Sequence, residues 1–94
     1  MIAEKEIIKK LKKVFDPELH IDVYTLGLIY EIKINKSEID IKMTFTFPGC
    51  PYGPWLLENI KQEVSKIKGV KKVNIDLTFD PPWQPNDEIK GMLG

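Results

Sequence analysis

The stretch IDIKMTFTFPGCPYGPWLLENIKQEV, residues 39–64, changes from one periodicity to another and thereby sets the order of the fold. In residues 39–47 apolar and polar side chains alternate, which predicts a β-strand with one buried face. The proline and glycine cluster at residues 48–54 interrupts that pattern. Apolar residues then return at helical spacing, at Leu56, Leu57, Ile60, Val64 and Ile67, until Gly69. The stretch therefore predicts a strand, a turn and an amphipathic helix.

The same two patterns extend to both sides of this stretch. Residues 3–15 carry apolar side chains at helical spacing, and Pro17 disfavours helical geometry at Asp16, so we expect a first helix that ends there. A loop over residues 16–27 follows, and residues 73–79 alternate as a third strand. A short terminal helix is expected near Asn86. Between the loop and the opening stretch, residues 28–34 alternate as another strand, with Leu28, Tyr30, Ile32 and Ile34 on one side. A hairpin turn is expected after it, at Asn35, Lys36 and Ser37.

These elements predict a single α+β domain over residues 1–94, in the order α-β-β-α-β-α. Each strand is apolar on one face only, so we expect a two-layer sandwich with helices on one face of a three-stranded mixed sheet. The other face, which includes Thr44 and Thr46, should look outward or toward a partner. The connection through the second helix should be right-handed if the strands that it joins are parallel.

The composition argues against several functional classes, namely nucleic-acid-binding, membrane and secreted proteins. The 14 basic and 14 acidic residues cancel, so the overall charge gives no sign of binding to nucleic acid or to an anionic membrane. No apolar run is long enough to cross a bilayer, and the first residues lack the features of a secretory signal. A single Cys in a chain of 94 residues favours a reducing compartment. We therefore expect a cytoplasmic protein with no membrane or nucleic-acid partner.

Cys50 is the residue with the most chemical potential. It lies in a turn just ahead of a predicted helix N-terminus, where the helix dipole and unpaired amides favour a thiolate. A small buried side chain that closes the junction is an equally good interpretation. With one Cys and one His the chain lacks the four ligands of a closed zinc or iron-sulfur site. Any metal at Cys50 should therefore be transient, or shared between two subunits of a homodimer.

Other polar residues are weaker candidates. Asp16 and Glu18 flank Pro17 and place two carboxylates in one turn. They can serve in acid-base or metal chemistry, or they can simply belong to a solvated turn that ends the helix. His20 is the first choice for a general base at neutral pH, although a surface role is more common for a loop histidine. Thr44 and Thr46 can offer hydroxyls near Cys50, or merely reflect β-propensity. The aromatic candidates for partner anchors are Trp55 and Trp83, of which Trp83 can equally fold the tail onto the core.

The segments VFDPELHIDVYTLGLIYEI, MTFTFPGCPYGPWL and VNIDLTFDPPWQP, with the terminal GMLG, together resemble the SufT and PaaD-like family of metal-sulfur cluster assembly factors. The family's marks are a D-P-E turn, an L-G-L-[IV]-Y strand entry, a T-x-x-G-C-P turn and a P-x-W segment, and all four occur in order. The resemblance implies the compact fold of the cluster assembly domains. It also implies a functional surface formed by Cys50, Asp16, Glu18, Thr44 and Thr46.

The expected function follows from this resemblance. Members of the family act in the maturation of iron-sulfur proteins, so the expected partners are the assembly machinery and apo client proteins. The cargo would be a transient iron ion or iron-sulfur cluster, with no permanently bound cofactor and no catalysis. Two alternatives stay open: a metal-free adaptor that binds through its polar sheet face and tryptophans, and a thiol enzyme with Cys50 as nucleophile.

Overall fold

Strand β2, Glu38–Met43, forms the centre of the structure, a computed structural model that describes residues 2–46, 49, 51–80, 82–84 and 91. The other elements are helix α1 (Glu4–Leu11), strand β1 (Ile29–Asn35), helix α2 (Gly53–Ser65) and strand β3 (Lys72–Leu77). The sheet order is β1-β2-β3, with β1 antiparallel and β3 parallel to β2. The predicted α+β fold with a mixed three-stranded sheet is thus confirmed. The terminal helix expected near Asn86 lies outside the described residues.

The core lies between the sheet and the two helices. From β2 it receives Ile39, Ile41 and Met43, each at most 1% exposed. Because every second residue of a strand points to the same face, the alternation read from the sequence is enough to align these three side chains. Burial of each contributes roughly 1.5–3 kcal/mol to stability. The helices close the core with Ile7 and Leu11 of α1 and with Leu56, Ile60 and Val64 of α2.

The outer face of the sheet is polar, as the alternation predicted. Cross-strand register places Glu31 opposite Lys42 and Lys33 opposite Asp40, so opposite charges face each other on β1 and β2. On the other side of β2, the amide of Asn74 donates a hydrogen bond of 2.8 Å to Asp40. The face is therefore a solvated surface with internally balanced charges.

Helix α1 is shorter than predicted. It ends at Leu11, and Lys12 and Lys13 form a turn, so Val14 and Phe15 lie outside the helix. Phe15 pairs as an isolated antiparallel bridge with Asp22 and is 51% exposed. The prediction was wrong here because the sequence continues the apolar helical spacing, while a pairing with a residue seven positions later ends the helix.

A β-bulge changes the face of β1. Ile29 lies opposite Met43, and Glu31 lies opposite Lys42, so Tyr30 is the extra residue of the bulge. The predicted inward set of Leu28, Tyr30, Ile32 and Ile34 is therefore wrong at Tyr30, whose place is taken by Ile29. Ile34, near the hairpin, is 37% exposed. The hairpin turn itself is confirmed, with Lys36 in a left-handed conformation at φ 57°.

Strand β2 also ends earlier than predicted. It stops at Met43, and both Thr44 and Phe45 are buried beyond it. Thr44 is 0% exposed, so the expectation that it looks outward or toward a partner is wrong. The physical reason is that the alternation of faces holds only while the chain stays extended, and the chain leaves the strand geometry at this point. Strand β3 likewise ends at Leu77, two residues before the predicted boundary.

Candidate functional site

The D-P-E turn is built around a buried carboxylate. Asp16 is 1% exposed, and its Oδ1 accepts hydrogen bonds from the backbone N–H groups of Glu18 at 2.8 Å and Leu19 at 2.9 Å. Pro17 holds its φ in the range that such a turn needs, and the N–H of His20 donates to the carbonyl of Asp16. Asp16 therefore caps a single tight turn from inside the protein, instead of lying in a solvated turn. Glu18 is exposed.

Tyr52 connects this turn to the start of α2. Its hydroxyl lies 3.2 Å from Oδ1 and 3.1 Å from Oδ2 of Asp16, and 3.2 Å from Oε2 of Glu18. A phenol has one proton to donate, so the two carboxylates share a single donor. Because Tyr52 is only two positions after Cys50, the D-P-E turn lies against the segment that follows the cysteine. Two of the predicted site residues, Asp16 and Glu18, are thus brought to one place.

Tyr52 is the site residue that reasoning from the sequence missed. A signal for it was present: a carboxylate that becomes buried needs hydrogen-bond donors, and this chain contains no arginine. A tyrosine in the G-C-P-Y turn is one of few side chains able to reach such a group. The pairing spans 36 positions along the chain and leaves no local pattern.

The threonines occupy the junction between β2 and the G-C-P turn. The N–H of Thr44 donates to the carbonyl of Leu28 at 2.9 Å, and its hydroxyl donates to the carbonyl of Phe45 at 3.3 Å. Thr46 is half-buried. Thr44 is therefore satisfied by the protein itself, and Thr46 is the more accessible of the two hydroxyl-bearing residues.

Cys50 lies outside the described residues, so its distance from Asp16, Glu18, Thr44 or Thr46 stays a prediction. The residues beside it are informative. Gly49 has φ +79°, a left-handed conformation that favours glycine and turns the chain sharply. Helix α2 begins at Gly53, so Cys50 precedes its first turn by three positions, as expected for a residue near a helix N-terminus.

Two further candidates have local structural roles. His20 is exposed, with φ 60°, and its N–H closes the D-P-E turn. Asp22 accepts a hydrogen bond of 2.9 Å from the N–H of Thr25 and caps the following turn. Among the described residues, which leave out Cys50, no three His, Cys, Asp or Glu side chains come together in a group suited to a metal ion.

The two tryptophans differ in environment. Trp83 packs against the core, and its indole N–H donates a hydrogen bond of 2.6 Å to the carbonyl of Leu26. This hydrogen bond links the segment after β3 to the loop before β1, which agrees with the prediction that Trp83 folds the tail onto the core. Trp55 is 51% exposed on the first turn of α2, close in sequence to Tyr52. No helix within the described part of the chain is long and apolar enough to span a membrane.

Several known proteins have a similar fold and a similar sequence. A domain of unknown function from Bacillus anthracis superimposes with a TM-score of 0.88 at 29% identity, covering 97% of this chain and 91% of that one. A conserved hypothetical protein from Thermotoga maritima also gives 0.88, at 37% identity, covering 99% of this chain and 95% of that one. Both likenesses cover nearly the whole chain.

The named relatives point to one process. An Fe-S protein maturation auxiliary factor from Porphyromonas gingivalis is 42% identical over 86% of this chain and 78% of its own length. The Staphylococcus aureus factor SufT, of the same description, is 34% identical over 74% of this chain and 81% of its own length. The model of the iron-sulfur cluster assembly protein family matches residues 4–77. The chain therefore belongs to the iron-sulfur cluster assembly protein family.

Proposed function

We propose that the protein is a non-enzymatic maturation factor that helps to deliver iron-sulfur clusters to apo proteins through Cys50. The observation that carries the proposal is the hydrogen bonding of Tyr52 to Asp16 and Glu18. It brings the D-P-E turn against the segment that follows Cys50, in a chain whose relatives are named as Fe-S protein maturation factors. Its partners are then the assembly machinery and apo clients.

The chemistry is ligand exchange. A thiolate at Cys50 binds iron of the cargo, and thiolates of the client replace it, so no electrons need to be transferred. With one Cys per chain, the remaining ligands come from a second subunit, an exogenous thiol or the client. Such incomplete coordination makes the cargo labile, which suits a carrier. The sharp turn at Gly49 and the start of α2 at Gly53 support thiolate character at Cys50.

The test is anaerobic reconstitution of the wild type and the Cys50→Ser variant with iron and sulfide. We expect visible absorption that depends on Cys50, together with a rise in mass by light scattering if two thiolates share the cargo. Transfer to an apo ferredoxin should be lost in the variant. Equal absorption and equal transfer by the two proteins would contradict the proposal.

The exposed Trp55 favours a second candidate, a metal-free adaptor that binds clients through the start of α2. In that case a Trp55→Ala variant would lose client binding, whereas Cys50→Ser would keep both binding and client maturation. The thiol-enzyme alternative has less support, because Asp16 already accepts three hydrogen bonds and is poorly placed to act as a base for Cys50.

A further inference from the structure

Although the net charge is zero, the lysines and the acidic residues are concentrated in different parts of the chain. Residues 5–13 contain five lysines and one glutamate, and residues 61–72 again contain five lysines and one glutamate. These two segments together carry a net charge of +8, and the rest of the chain carries −8. Such a distribution creates a local potential that the total charge does not reveal.

The fold brings the two segments together. Helix α1 packs beside α2, and a groove of about 350 Å³ along α1 is lined by Glu6, Lys9, Lys10, Lys13 and by Ile67, which follows the end of α2. Lys66 donates a hydrogen bond of 2.6 Å to Glu63. This bond, and the charges of Lys66, Lys10 and Lys13, lower the pKa of Glu63. Lysines from the last turn of α1, the turn after it and the residue that follows α2 therefore border one surface, which we call the basic face: Lys9, Lys10, Lys13 and Lys66.

Most of the basic face is not neutralised by the protein. Within the described ranges, Lys9, Lys10 and Lys13 make no ion pair, and only Lys66 pairs with an acidic residue of the face. Lys9 and Lys10 lie in the last turn of α1, and Lys13 lies in the turn that follows it, so three positive charges border the same groove. The dipole of α1 favours lysines in its last turn but does not require a further lysine at position 13.

We propose that the basic face docks an acidic segment of a protein partner. Its positive charge complements such a segment. Ile67 is 7% exposed and belongs to the core, so recognition rests on the lysines. Nucleic acid fits less well. Glu6 and Glu63 interrupt the face, none of the described residues that line the groove is aromatic and able to stack on bases, and the chain has no arginine.

The position of the face separates docking from cluster chemistry. Tyr52 precedes the first residue of α2, whereas Glu63 and Lys66 lie at the end of that helix, about 20 Å away along its axis. A partner held at the basic face therefore leaves the D-P-E turn accessible. Docking does not depend on Cys50, so it can be tested independently of the proposed function.

The test measures binding of a fluorescein-labelled decapeptide made of eight glutamates and two leucines by fluorescence anisotropy at low salt. One variant combines Lys9→Gln, Lys10→Gln and Lys13→Gln. The matched control combines Lys33→Gln, Lys36→Gln and Lys42→Gln, which removes the same charge from the hairpin and sheet. We expect at least about 10-fold weaker binding for the first variant and less than about 2-fold for the control. Cys50→Ser should bind like the wild type.

Three results would overturn the proposal. One is the absence of peptide binding by the wild type at low salt. Another is equal weakening by the two triple variants, which would make binding a matter of net charge alone. The third is a DNA oligonucleotide of equal charge that binds more tightly than the peptide and is lost with the basic face, which would make the face a nucleic-acid site. Circular dichroism of each variant checks that the fold is retained.

Discussion

At the scale of single residues, the site depends on how one buried carboxylate is satisfied. Asp16 receives two backbone N–H groups from its own turn, and Tyr52 supplies the third donor from the start of α2. The two hydrogen bonds from backbone N–H groups involve only residues of the same turn. The third fixes the distance between two loops, because a phenol is rigid and its hydroxyl can reach the carboxylate in few arrangements. Tyr52 is thus the residue through which the two turns are held together.

Tyr52→Phe tests this role. The ring is kept, and only the donor to Asp16 and Glu18 is lost, so we expect the free energy of unfolding in urea to fall by about 0.5–1.5 kcal/mol. For the proposed cluster transfer we also expect a lower rate, since the segment that follows Cys50 loses its hydrogen bond to the D-P-E turn. Tyr24→Phe is the matched control, because the hydroxyl of Tyr24 makes no hydrogen bond within the described residues. Equal losses of stability in the two variants would contradict the role of Tyr52.

At the scale of elements, the junction between β2 and α2 is closely packed. Phe45 follows the end of β2, is 7% exposed, and meets the ring of Phe79 edge to face at a centroid distance of 6.2 Å. Gly53, the first residue of α2, lies directly against the Phe45 ring. A Cβ at that position would lie 2.5 Å and 2.7 Å from two ring carbons. A side chain at position 53 would therefore force the Phe45 ring to shift.

Gly53→Ala should therefore destabilise the protein, although alanine is the better helix former. The Phe45 ring must shift, and it is held by the core and by Phe79, so we expect a loss of about 1–3 kcal/mol in thermal or urea unfolding. A double-mutant cycle locates the cause. In a Phe45→Leu background the same substitution should cost clearly less, and an unchanged cost would show that the ring is not responsible.

The sequence was sufficient for the identity and order of the elements and insufficient for their ends. Alternation over residues 39–47 and helical spacing from Leu56 to Ile67 are repeated signals, and both elements formed, although β2 ends at Met43 and α2 at Ser65. The bulge at Tyr30 and the end of α1 at Leu11 depend on pairing with distant or non-helical residues, which no local pattern records. The candidate site shows the same division: the D-P-E motif was visible, and its tyrosine partner was not.

At the scale of the whole molecule, the net charge of zero is not reproduced on every surface. The outer face of the sheet pairs opposite charges across β1 and β2, while the basic face concentrates lysines around the last turn of α1 and the end of α2. The excess of positive charge on the segments that carry the basic face is offset by an excess of negative charge in the rest of the chain, so the sequence-based argument from net charge could not reveal it. Glu63 is the acidic residue that moderates the basic face, through Lys66 and the charges of Lys10 and Lys13.

Glu63→Gln measures this moderation. The folded-state pKa of Glu63 lies below its ordinary value of 4.5, so its contribution to stability is present above that value and is lost as pH falls through the lowered pKa. For a surface pair we expect about 0.3–0.5 kcal/mol at pH 7, or roughly 1–4 °C in Tm. The difference in Tm between wild type and variant should shrink at high salt and vanish in acid, where Glu63 is protonated. At low salt the variant should bind the acidic decapeptide more tightly. A Tm difference that persists in acid would mean that Glu63 acts through packing and not through its charge.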